Sequence, residues 1–199
     1  MKQEIKQASI LVSLLVLLSG CLPIAFSAAT DTTFKAARDG TISSAVDDIT
    51  IAAKIQKEFI SSGFRELYTK ISVEVIKGRV LYTGRVQTEE DIIKAVEIAW
   101  AQNGVVEVIN ELTVDENSGT FNSVQYVKDT WITSQIKAKS IMHRAIKFVN
   151  YTVVTSSSIV YIFGIGRSEE EMEEISRIAA ETAGVEKVVN YVKLKESTE

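Results

Sequence analysis

Apolar positions in this 199-residue chain change period in an order that occurs twice. Between residues 47 and 61, Ile51, Ala52, Ile55 and Phe59 fall on one stripe of a helix turning about 100° per residue. β-Branched alternation follows in Ile71–Ile76 and Arg79–Arg85, reversing at Lys77-Gly78, the mark of a hairpin. A second helical stretch runs over about 89–103, and a strand over 105–114 closes the set. The same succession returns as a helix over 128–143, a hairpin of Tyr151–Thr155 with Ile159–Gly164, a helix over 169–183 and a strand over 185–194. Its hairpin turns at the serine run 156–158.

The two copies align with one single-residue gap. Asp48, Ile51 and Ile55 match Asp129, Ile132 and Ile136 at an offset of 81. Val73, Val80, Gly84, Gly104, Val105, Val108 and Asn110 match Val153, Val160, Gly164, Gly184, Val185, Val188 and Asn190 at 80. Thr88 and Ser168 are placed as N-caps of the second helices, with Asp91 and Glu171 three residues on. The second copy thus carries the fuller capping-box pattern. Gly104 and Gly184 suit the left-handed residue beyond a helix end. Each copy therefore reads as αββαβ, and a helix linking two strands predicts that those strands are parallel. The expected class is α+β: two tandem modules, 47–114 and 128–195, each a three-stranded mixed sheet covered on one face by two helices. At about 65–70 residues each module is marginal alone, and packing one on the other would add burial. Between them, 115–127 is a linker whose Phe121, Val124 and Tyr126 predict docking rather than floating.

The start of the chain has another character. Lys2 and Lys6 precede an apolar run from Ala8 to Leu18, which closes in Leu18-Ser19-Gly20-Cys21. Residues 1–20 read as an export signal, and the closing motif resembles a bacterial lipobox, which implies cleavage and acylation at Cys21. Extending the run to Phe26 would approach the ~20 residues of a membrane span, but Pro23 interrupts it. Cys21 is the chain's one cysteine, so no internal disulfide forms. Residues 21–46 then form a lipidated, flexible tether. Leu22, rather than Asp, follows the cysteine, and the enterobacterial sorting rule then implies the periplasm-facing leaflet of a Gram-negative outer membrane.

Without residues 1–20 the chain carries 20 basic and 25 acidic residues, a net of −5, which is no footprint for nucleic acid. The modules resemble the BON domain family, and the tandem resembles dual-BON outer-membrane lipoproteins. The stretches that carry the resemblance are Val46-Asp47-Asp48, Gly78-Arg79-Val80-Leu81, Asn110-Glu111 and Asp129-Thr130-Trp131-Ile132-Thr133. It implies a non-enzymatic protein that binds anionic phospholipid through the first helix of the second module and supports envelope integrity. The alternative it leaves is an interaction scaffold or an accessory to outer-membrane protein assembly.

The two first helices differ on the face turned from the core. The first module places Thr50, Lys57 and Ser61 there; the second places Trp131, Ala138 and Met142, with Ile141 beside them. Residues 128–147 carry Lys128, Lys137, Lys139, Arg144 and Lys147 against Asp129, a net of +4. The residues assigned to phospholipid are accordingly Trp131, Gln135, Ala138, Lys139, Met142 and Lys128. The same face would equally serve to pack on the first module or on 121–126, and the sequence admits both.

Other candidates carry less chemistry. Gly164-Ile165-Gly166 lacks the third glycine of a dinucleotide motif. The glutamates of 169–174 suit a solvated helix start rather than a metal site. His143 is the lone histidine and has no evident triad, and the GXXG loop of KH-type RNA binders is missing. No cofactor, metal or catalytic residue is expected.

Overall fold

A computed structural model describes residues 42–61, 65–115 and 122–195, all within one compact unit spanning Ala37–Glu199. The export signal, Cys21, most of the tether and Phe121 lie outside the described residues. The first module comprises α1 (Ile42–Ser61), the short α2 (Arg65–Lys70), β1 (Ile71–Ile76), β2 (Arg79–Val86), α3 (Glu89–Trp100) and β3 (Glu107–Val114). The second repeats this as α4 (Ser123–Met142), a single 3-10 turn (Phe148–Asn150), β4 (Tyr151–Ser156), β5 (Ile159–Gly166), α5 (Glu169–Ala180) and β6 (Lys187–Leu194). Each sheet has the expected mixed order. β2 pairs antiparallel with β1 and parallel with β3, and β5 does the same with β4 and β6.

The aspartates matched between the copies clamp the hairpins. Lys77 and Gly78 both take positive φ, as do Ser157 and Ser158, the backbone of a two-residue turn that suits strand twist. Asp48 accepts the Lys77 and Gly78 amides, each at 2.8 Å. Asp129 accepts those of Ser157 and Ser158 at 2.9 and 2.8 Å. The first helix of each module is thereby fastened across to the tip of its own hairpin. Gly84 and Gly164 answer a second demand, because the chain entering the first strand passes hard against them. A Cβ on Gly84 would lie 2.1 Å from the Lys70 carbonyl oxygen, and one on Gly164 2.4 Å from that of Asn150.

One face of each sheet meets its two helices. Ile55, Phe59, Val80, Tyr82 and Ala99 form one such core, and Ile132, Ile136, Val160, Ile162 and Ile175 the other. Each large side chain so buried contributes about 1.5–3 kcal/mol. The other faces of the two sheets pack together, giving helices, sheet, sheet, helices. Ile76, Leu81, Ile109, Tyr161 and Phe163 form that seam, with Tyr191 and Val189 beside it. The buried Arg79 guanidinium lies 4.9 Å over the Phe163 ring, donates to Glu107 at 2.7 Å and reaches the Tyr191 carbonyl at 3.1 Å. Tyr191 in turn donates its hydroxyl to Glu111 across the seam. Asn110 and Asn190, on the outer strands, each accept the amide two residues on, occupying a donor that a further strand would need.

Two expectations are corrected, and one alternative left open by the sequence is decided. α4 begins at Ser123, so Val124 and Tyr126 belong to the helix and stand exposed instead of docking a linker. Asn122 moves the start, because its side chain accepts the Gln125 amide at 3.0 Å. The complete capping box belongs to the first module, where Asp91 reaches back to the Thr88 amide. In the second, the longer and buried Glu171 reaches past Ser168 to the amides of Arg167 and Lys147. Finally, the modules join through their sheets rather than through the outer face of α4.

Candidate functional site

α4 is pinned along one side and bare along the other. Ile132, Ile136 and Ser140 are fully buried, and Gln125 bonds both Asp129 and Ser158 at the hairpin turn. About 150° away, Val124, Val127, Trp131, Ala138 and Met142 fall within about 60° of one another on the helix. Val124 is 79% exposed, Val127 65%, Trp131 49% and Met142 83%. A contiguous apolar face turned to solvent marks a surface that awaits a partner. The corresponding positions of α1 include the exposed Thr50, Lys57 and Ser61, so repetition of the fold does not demand this face.

Val124 and Val127 extend the site by about one turn beyond the residues anticipated. Their signal was present: Asn122 stands three residues before Gln125, a capping pattern, and 124, 127 and 131 keep helical spacing. Gln135 sits half-buried at the edge of the face. Lys128 and Lys139 lie on the flank turned toward α5 and β6. The Lys128 ammonium is 3.3 Å from Glu186, and that of Lys139 donates to Thr182 at 3.0 Å. Both lysines stay exposed enough to turn outward, at the expense of surface contacts worth about 0–1 kcal/mol each. Lys137 lies exposed on the opposite flank, and Arg144 is exposed just past the helix end.

The far end of α4 is also fastened. His143 caps it and lies 3.0 Å from Glu174 of α5, which Arg177 also holds at 2.6 Å. Hydrogen bonds from Arg177, set against a small burial penalty, keep the Glu174 carboxyl below its ordinary range. Glu171, 3% exposed, accepts the Lys147 amide and thereby fixes the segment leaving α4. The surface is therefore a helical strip fastened at both ends.

The perturbed tyrosines lie away from this strip. Burial raises the Tyr82 hydroxyl well above its ordinary range, in the core of the first module. Burial, then the Glu111 carboxylate, pushes Tyr161 and Tyr191 at the seam up to about 12. Among the described residues no three His, Cys, Asp or Glu side chains are grouped to hold a metal ion. Gly164 and Gly166 lie in β5, in a hairpin-derived sheet rather than a phosphate loop.

Two αββαβ modules sharing a sheet-to-sheet seam define a tandem repeat of one small α+β fold. The chain belongs to the BON domain family, whose model matches residues 47–116 and 128–196. It is 40% identical over 152 residues to a protein of the gshII 5′ region of Anaplasma centrale, covering 76% of this chain and 97% of that one. It is 26% identical to the outer membrane lipoprotein DolP of Haemophilus influenzae, covering 95% and 96% of the two chains. To the osmotically inducible protein Y of Escherichia coli it is 29% identical over 75% and 74%.

Proposed function

We propose that this chain is a non-enzymatic, lipid-anchored envelope protein that uses the outer face of α4 to sit on anionic phospholipid. The observation that carries the reading is that face itself: five exposed apolar side chains on a basic helix, four of which are replaced in the first module, where Ser43, Thr50, Lys57 and Ser61 stand at the positions of Val124, Trp131, Ala138 and Met142. Trp131 suits a membrane interface, its indole body apolar and its N–H able to reach a headgroup or water. The surrounding Lys and Arg residues would each add about 1 kcal/mol near an anionic surface. A lipobox-like Cys21 would hold the module close to the bilayer, so a weak surface site would be well occupied. The outer-membrane lipoprotein among its relatives supports the same compartment.

The test is sedimentation with anionic liposomes. About half of the Trp131 surface remains to be buried. For a side chain of about 150–250 Å² this is worth about 2–3 kcal/mol at about 25 cal/mol per Å². Trp131→Ala should therefore weaken partitioning by roughly thirty- to a hundred-and-fiftyfold, and Trp131→Glu by more, with the melting temperature almost unchanged. Undiminished binding by a folded variant would instead leave α4 as a protein-docking face.

A further inference from the structure

A second apolar strip lies on α3, at the opposite outer layer of the molecule. Ile93 is 58% exposed and Trp100 53%. On the helix wheel these two lie together, opposite the buried Ala95, Ile98 and Ala99. The exposed Glu89, Glu90 and Glu97 share and flank the strip, with Glu97 bridged to Lys94 at 3.2 Å. The equivalents of Ile93 and Trp100 in α5, at the repeat offset of 80, are Glu173 and Ala180. As with α4, the apolar character belongs to one copy of the fold and not to its design.

The α3 strip is acidic and the α4 strip is basic, and each has a tryptophan at its centre or end. An acidic rim repels the anionic surface that suits α4, so α3 calls for a different partner. We infer that the α3 strip of one copy receives the α4 strip of a second copy, Trp100 packing beside Val127 and Trp131, with Glu89, Glu90 and Glu97 meeting Lys128, Lys137 and Lys139. The two patches differ, so the contact is heterologous, and every copy offers both halves. Association would run in a ring or chain of copies. Because it covers α4, it would compete with the lipid contact.

Photo-crosslinking in cells tests this with the full chain. One copy carries benzoylphenylalanine in place of Ile93, and a second, differently tagged copy is expressed beside it. Irradiation should join the two, and trypsin should map the adduct to residues 129–137 of the second copy. Trp131→Glu in the second copy, or Glu90→Lys with Glu97→Lys in the first, should lower the yield about tenfold or more. These positions are exposed, so the variants should keep the parental melting temperature. An adduct to lipid, to another protein or to α3 of the second copy, or none, overturns the inference. Liposome binding through α4 stands or falls separately, since position 93 lies outside that strip.

Discussion

Removing the Asp129 carboxylate tests how α4 is held to its module. In the structure it accepts the amides of Ser157 and Ser158, and Gln125 of α4 donates to it at 2.9 Å. Asp129→Ala takes away the two amide bonds to a charged acceptor, each worth about 1.5–3 kcal/mol, and also the bond from Gln125, which keeps its contact with Ser158. The site is half-buried and water would satisfy part of what is lost, so the low end applies, about 3 kcal/mol in all. Asp48 is the more buried of the two clamps, but its turn contains Gly78 at φ 71°, where the left-handed conformation is cheap. Ser157 and Ser158 hold φ of 52° and 66° without that freedom, at roughly 1–2 kcal/mol per residue. Asp129 therefore holds a strained turn, and its loss should be felt at least as strongly as that of Asp48. Calorimetry should show a fall of roughly 6–12 °C, at about 2–4 °C per kcal/mol for a protein of this size. Adding Ser157→Gly should restore about 1 kcal/mol by relieving the turn. A loss below about 1 kcal/mol, or no recovery on adding the glycine, would refute the clamp.

Two further tests address the ends of the same framework. Burial raises Glu171, but the Arg167 guanidinium and the Lys147 and Arg167 amides outweigh it and hold the carboxyl below its ordinary range. Its contribution is then fully present above the unfolded value of about 4.3 and is lost as pH falls through the folded one. Glu171→Gln should flatten the acid side of the stability profile, read as urea midpoints from about pH 6 to about pH 3; a profile as steep as the parent's would count against the assignment. Phe163 is fully buried in the seam beneath Arg79, so Phe163→Ala should cost about 3–5 kcal/mol and remove the cation–π contact. The calorimetric trace should separate into two module transitions, whereas a single unbroken transition would mean that the coupling of the modules does not depend on Phe163.

Much of the architecture was legible because its signals are local. Helical and alternating periods act over a few residues, and the hairpin turns and N-caps Thr88 and Ser168 announce themselves in place. The start of α4 was missed although Asn122 and Gln125 were in view, since a polar, serine-bearing stretch before Lys128 reads as linker when tertiary anchors are unknown. The match of Asp48 with Asp129 was visible, but its reason was not. The carboxylates act on amides about 30 residues away, and sequence spacing carries no distance across a fold.

The repeated order of elements, and the contrast between Trp131, Ala138 and Met142 and their polar counterparts, belong to the one-dimensional chain. A backbone of fixed period converts that order into faces without further information. Which face met solvent was decided only in three dimensions. The run Val160-Tyr161-Ile162-Phe163 is apolar at every position, which says that both sides of β5 are covered but not by what. Once the two sheets cover each other, the seam consumes the surface that might have received α4, and Trp131 is left at the outside because burial is a property of the assembled layers.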